Sequence, residues 1–230
     1  MELRPGEVHL WAIDLARPRG QADQLCSLLS ADELRRAGGM RIESARRHFL
    51  VARGALRSLL ARYLDTPASE LPLVARAGAK PALAGSTVRF NLSHSGELAI
   101  VALAREREVG VDVELIRRRR DPAALATRYL APNEARVVRD AGDRTASFYR
   151  HWVAKEALLK ATGTGLAGGP RALEVALEPV PRILASGADA GAGSRWSLEL
   201  FDVPARYTAA LVTEGALRRT PLRAFDPLAG

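Results

Sequence analysis

Apolar and polar residues alternate over Val8-His9-Leu10-Trp11-Ala12-Ile13-Asp14, the period of a half-buried strand. Ser30-Ala31-Asp32-Glu33 reads as the cap of a short helix running to about Ala37 and ended by Gly38-Gly39. Over 43–64, Phe49, Leu56, Leu59, Leu60 and Tyr63 recur at helical spacing with arginines between them, so the longest helix is expected there, stopped by Thr66-Pro67. A short strand at Val74-Ala75-Arg76 and a turn at Gly78-Ala79-Lys80-Pro81 follow. Strands are expected over 87–92 and 97–104, joined by a turn at Ser93-His94-Ser95-Gly96, and another over 109–115. Helices are expected over 122–130, 132–141 and 145–161, the last ending at Gly163. The remainder reads as strands at 172–178, 195–203 and 206–213, with a Gly-, Ala- and Ser-rich surface loop over 184–194.

An internal echo runs through this pattern. Arg47-His48-Phe49-Leu50-Val51-Ala52-Arg53-Gly54-Ala55-Leu56 resembles Arg150-His151-Trp152-Val153-Ala154-Lys155-Glu156-Ala157-Leu158 with one residue omitted, and the shared Val-Ala pairs lie 153 − 51 = 102 residues apart. In both places a helix is followed by expected strands. The chain therefore reads as a duplication, with halves at 1–106 and 107–230 packed about a pseudo-twofold axis and a ligand cleft between them.

Composition narrows the class. At 47% hydrophobic and 26% charged the chain is an ordinary globular one. No apolar run approaches the roughly 18–20 residues of a membrane span, and the opening residues do not read as a secretory signal. One cysteine, Cys26, excludes an internal disulfide and any cysteine metal cluster, so a cytoplasmic location is expected. The net charge of +8 admits nucleic acid, an anionic cofactor or an acidic protein partner. Of the 34 Lys and Arg residues only Lys80, Lys155 and Lys160 are lysines, which makes their positions informative.

Four groups of residues can carry chemistry. In Val109-Gly110-Val111-Asp112-Val113-Glu114, residues two apart share a strand face, so Asp112 and Glu114 present two carboxylates side by side. Such a pair repels itself unless a cation intervenes, and oxygen ligands suit Mg²⁺; a solvated polar face is the plain alternative. Phe148, Trp152, Glu156 and Lys160 lie four apart on one helix face, leaving a carboxylate and an ammonium at the core margin or in an exposed pair. Phe90-Asn91-Leu92-Ser93-His94-Ser95-Gly96 gathers an amide, hydroxyls and an imidazole suited to a phosphate or to a capped turn. The arginines 36, 41, 46, 47, 53 and 57 include a subset able to bind phosphate.

Taken together, these segments resemble the 4′-phosphopantetheinyl transferases, in the large monomeric surfactin-type branch. The match rests on Val-Gly-Val-Asp-Val-Glu at 109–114, Trp-Val-Ala-Lys-Glu-Ala-Leu-Leu-Lys at 152–160, Lys80-Pro81 and Asn91-Leu92-Ser93-His94-Ser95, in order and spacing, and extends roughly from Ser30 to Gly165. The resemblance implies an α+β fold of two similar halves, each an antiparallel sheet packed on a long helix. It implies transfer of the phosphopantetheine arm of coenzyme A to a serine of an acidic acyl- or peptidyl-carrier protein, releasing 3′,5′-ADP. By position it implies Asp112, Glu114 and Glu156 as ligands of Mg²⁺ (or Mn²⁺), Glu156 as base, and Lys160 on the pyrophosphate with Lys155 near it. Asn91, Ser93 and His94 would lie at the nucleotide phosphates, and His94 would join Glu156 and Lys160 as a catalytic residue. Lys80 would reach the coenzyme A near its adenine or phosphate end, and Arg36, Arg47 and Arg53 would hold nucleotide phosphates. Arg117 to Arg120 would steer the carrier. A monomer without nucleic-acid or membrane partners follows. The rival readings are a non-catalytic coenzyme A or carrier-binding module and a Mg²⁺-dependent nuclease; the nuclease usually places an acidic-x-Lys tripeptide on a strand, which this chain lacks.

Overall fold

A computed structural model describes residues 1–16, 19–74, 80–118, 121–163, 169–186 and 195–229. The first half runs β1 (Val8–Asp14), α1 (Arg19–Cys26), α2 (Ala31–Gly38), α3 (Glu43–Leu64), a small hairpin β2 (Leu73–Val74) and β3 (Ala82–Leu83), then β4 (Val88–Ser95) and β5 (Leu98–Arg105). The second half repeats that order: β6 (Val109–Leu115), α4 (Pro122–Tyr129), α5 (Pro132–Asp140), α6 (Arg144–Thr162), the hairpin β7 (Leu173–Ala176) and β8 (Arg182–Ser186), then β9 (Trp196–Leu200) and β10 (Tyr207–Glu214). A last strand, β11 (Arg223–Ala224), closes the chain. The sheets match as well. Antiparallel β1-β5-β4 in one half corresponds to antiparallel β6-β10-β9 in the other. The fold is α+β.

Strand alternation explains the layering. Ile13, Ala99, Val101 and Leu103 pack with Val51, Ala55, Leu56 and Leu59 of α3. Val8, Leu10, Ile100 and Ala102, on the opposite face, meet Val109, Val111, Val113 and Leu211 of the second sheet. Val153, Ala157 and Leu158 of α6 pack with Leu198, Ala210 and Val212 on that sheet's far face. The order of layers is thus α3, sheet, sheet, α6, and β5 is buried from Leu98 to Ala104.

The duplication extends to a buried ion pair. Glu33, at the third position of α2, accepts from Ser30 N and takes the guanidiniums of Arg53 and Arg57 from α3 at 2.7 Å each. Glu134, 134 − 33 = 101 residues later and at the same helical position of α5, accepts from Ala131 N and from Lys155 of α6. In the echo, Lys155 stands where Arg53 stands. Each pair ties a long helix to the short helix beside it.

The expected elements differ from the structure at identifiable places. Helix α1 went unforeseen because, among its described side chains, only Ala22 and Leu25 are buried. The expected turn at Ser93-His94-Ser95-Gly96 is instead strand through Ser95, with the reversal at Gly96, whose φ is +57°. Strand β8 occupies part of the expected 184–194 loop, and 187–194 lie outside the described residues. The expected strand at 74–76 is strand at Leu73–Val74; residues 75–79, with most of the Gly78–Pro81 turn, lie outside the described residues, as do Arg119, Arg120 and Gly165.

Candidate active site

Where the edge strand β4 of one sheet meets the edge strand β6 of the other, a cleft of about 430 Å³ opens between the halves. Arg36 of α2, Phe49 and Arg53 of α3, and Asn91, Ser93 and His94 of β4 line one wall. Asp112 and Glu114 of β6 and Trp152, Glu156 and Lys160 of α6 line the other. The last three are four residues apart, so helical periodicity alone brings them into one row. Phe148, the next residue down that row, is buried and stacks on Trp152 at 6.1 Å between ring centroids.

Charge is concentrated at the floor. Lys160 Nζ donates to Asp112 Oδ1 at 2.6 Å and to Ser93 Oγ at 2.8 Å. Ser93 Oγ donates in turn to Asp112 Oδ1 at 2.7 Å, and Ser95 Oγ donates to Glu114 Oε2 at 2.6 Å. Burial, with the Asp112 carboxylate next and Glu114 adding less, pushes the Glu156 carboxyl above the usual carboxylate range against the pull of Lys160.

Two carboxylate oxygens at this floor, Asp112 Oδ2 and Glu156 Oε1, are buried without a hydrogen-bond partner. Unpartnered buried acceptors are costly, and an oxygen-binding cation offsets that cost. Among the described residues no three His, Cys, Asp or Glu side chains form a ready-made metal site. Mg²⁺ commonly takes one or two protein carboxylates and completes its shell with water and substrate phosphates, and the two bare oxygens supply that number. The residues present fit such an ion.

Comparison with known proteins bears on the wall of this cleft that holds Asp112, Glu114, Glu156 and Lys160. A family model described as the 4′-phosphopantetheinyl transferase superfamily matches residues 108–212. The 4′-phosphopantetheinyl transferase HetI of Nostoc sp. is 40% identical over 185 residues, covering 78% of this chain and 78% of that protein. The chain belongs to the 4′-phosphopantetheinyl transferase superfamily. It is also 40% identical over 111 residues to the 4′-phosphopantetheinyl transferase AcpT of Salmonella typhi, covering 46% of this chain and 56% of AcpT. Among solved structures, the holo-[acyl-carrier-protein] synthase of Thermotoga maritima matches at a TM-score of 0.40 and 28% identity, over 46% of this chain and 62% of that one.

Within this transferase, the expected site residues divide. Asp112, Glu114, Glu156, Lys160, Asn91, Ser93, His94, Arg36 and Arg53 all line the cleft. Lys155 does not. It is 0% exposed and paired with Glu134, so its expected place near the phosphates is corrected: one step along the helix turns it about 100° from Glu156 and into the core. Arg53 is held by Glu33, which commits its guanidinium to the fold. Lys80 sits in an adjoining hollow, donating to Glu108 Oε2 at 3.0 Å and to the Val109 carbonyl at 2.7 Å. Arg47 is not among the residues lining the cleft, and its Nε is buried without a partner.

Sequence reading assigned no site role to Phe49, Trp152 or Ser95. Phe49 and Trp152 line the cleft from opposite halves and are equivalent in the internal echo, which was the available signal. Ser95 holds Glu114, and its place two residues beyond Ser93 on a strand was the available signal there.

Proposed function

We propose that the chain moves the phosphopantetheine arm of coenzyme A to a serine hydroxyl of an apo acyl- or peptidyl-carrier protein, with Mg²⁺ (Mn²⁺ in its place) and with 3′,5′-ADP as the second product. The observation that carries this reading is the pair of bare buried oxygens, Asp112 Oδ2 and Glu156 Oε1, beside the Lys160 ammonium in one cleft. Asp112, Glu156 and Glu114 would hold the cation. When bound, it neutralises charge on the pyrophosphate of coenzyme A.

The remaining work falls to side chains. The carrier serine oxygen bonds to the phosphorus as the bond to the 3′,5′-ADP oxygen breaks. Glu156, whose carboxyl is held up by burial and its acidic neighbours, accepts the serine proton. Lys160 places a compact positive charge on the leaving oxygen. Arg36 and His94, exposed at the cleft mouth, hold the nucleotide phosphates. Both walls come from one chain, which supports a monomer of the large surfactin-type kind. Arg117, at the start of the arginine run, borders a hollow beside the cleft with Arg36 and steers an acidic carrier. The enzyme acts in the cytoplasm.

The test is incubation of the full chain with coenzyme A, Mg²⁺ and an apo carrier protein, read by mass spectrometry. The carrier is expected to gain one phosphopantetheine, and the gain is expected to vanish in Glu156→Gln and in a chelator. Tight coenzyme A binding with no gain on fatty-acid, polyketide or peptide carriers would instead mark a binding module.

A further inference from the structure

Strand β6 is the edge of its sheet, and its outward backbone groups have no ladder partner. Three of them bond to side chains of the other half. Lys80 Nζ donates to the Val109 carbonyl at 2.7 Å, Asn91 Oδ1 accepts from Val111 N at 2.8 Å, and Ser93 Oγ accepts from Val113 N at 3.4 Å. Beyond them Ser95 reaches Glu114. Asn91, Ser93 and Ser95 are two apart on β4, so one strand face supplies the row while Val88 and Phe90 pack inward. We infer that Lys80, Asn91, Ser93 and Ser95 are positioning residues, a polar seam through which the first half holds β6 and aims the Asp112 and Glu114 carboxylates.

The hydrogen-bond inventory of Ser93 supports this over a role as phosphate ligand. A hydroxyl has one proton and two lone pairs. The proton goes to Asp112, and the lone pairs take Val113 N and Lys160 Nζ. No donor remains for an anion. Ser95 likewise directs its proton to Glu114. The inference about the carboxylates rests on their proposed role as cation ligands; the inference about β6 does not.

The experiment therefore has two arms on the full chain. In the first, without metal or substrate, amide hydrogen exchange is compared in wild type, Asn91→Ala and Ser93→Ala. Exchange at Val111 and Val113 is expected to rise about tenfold, the loss of one hydrogen bond, while amides of the β5 core keep their rates. Unchanged exchange at both amides overturns the seam. In the second arm, Mn²⁺ binding is followed by electron paramagnetic resonance. Ser95→Ala is expected to weaken Mn²⁺ about tenfold, as loss of a partner to a metal ligand does. Its KM for coenzyme A at saturating metal is expected to stay within about twofold, with Ser95→Thr restoring the metal affinity. A raised KM with unchanged Mn²⁺ binding would make Ser95 a substrate ligand and overturn its positioning role. A wild type that binds no Mn²⁺ would overturn the cation reading of the cleft, while the exchange arm still decides the seam.

Discussion

Two lysines five positions apart on α6 have opposite surroundings. Lys155 is enclosed in the core against Glu134, whereas Lys160 stands at the cleft floor between Asp112 and Ser93. Removing one member of a buried pair strands the other charge, at a cost of about 3–5 kcal/mol. Lys155→Met is therefore expected to lose about that much stability in urea unfolding, with kcat at low temperature within about threefold of wild type. Lys160→Arg keeps the charge, but a planar fork cannot occupy a position built for a point donor. We expect its stability to change by less than about 1 kcal/mol and its kcat to fall at least about 100-fold, roughly 2.7 kcal/mol of barrier. A large kcat loss in Lys155→Met, or near-normal turnover in Lys160→Arg, would contradict this division. At this scale the sequence was informative where spacing was: strand period two put Asp112 and Glu114 together, and helical period four put Trp152, Glu156 and Lys160 together. Lys155 was misplaced because the motif was taken as a unit, although position 155 faces away from position 156. Glu33 with Arg53, repeated as Glu134 with Lys155, was the sequence signal that would have corrected it.

Helix α6 lies directly on β6, and Gly110 makes that approach possible. A Cβ there would overlap the Ala157 carbonyl oxygen and the Ala161 amide nitrogen, both backbone atoms that no rotamer change can move. Gly110→Ala must push α6 away from the strand. Overpacking of this kind costs about 1–3 kcal/mol. It also separates Glu156 and Lys160, on the helix, from Asp112, on the strand. We expect the variant to fold with lowered stability and to lose kcat at least about tenfold, since misplacement of about 1 Å can cost 10²-fold. Unaltered kcat would mean the cleft tolerates helix displacement. Elements with a wide apolar face or a clear cap were legible, including the capping box at Ser30 and Glu33 and the full span of α3. Elements held by tertiary contact were not. Helix α1 is fixed where Leu25 crosses Gly54, at which an added Cβ would come within 2.7 Å of the Leu25 Cβ. Ser93 and Ser95 read as a turn because their cross-strand partners lie 19 residues away on β6.

The internal twofold would give the molecule two equivalent seams, β4 against β6 and β9 against β1, and among the described residues the first opens as a cleft. The chain's last segment fills the second. Arg218 O accepts from Val8 N at 2.7 Å, Thr220 Oγ1 accepts from Leu10 N at 3.3 Å, and Arg219 reaches Glu199 of β9 at 2.6 Å. Phe225 then buries its ring against Trp11, 5.8 Å between centroids, in the core of the first half, while Leu217 and Leu222 pack on the core shared by the two sheets. This strap was illegible in the sequence: its β11 ladder is two residues long, and Pro221 precedes it. It binds residues from the end of the second half to the first, so the halves are expected to unfold together. Phe225→Ala removes a ring 4% exposed, for which a loss of about 3–5 kcal/mol is expected. In urea, fluorescence and far-ultraviolet circular dichroism should still trace one coincident transition, shifted to lower denaturant with an unchanged slope. Phe225 is not among the residues lining the cleft, so Mn²⁺ affinity of the folded variant should match wild type. A cost below about 1 kcal/mol would show that the strap carries little of the coupling, whereas two separated transitions would show that the shared sheet core alone does not hold the halves together.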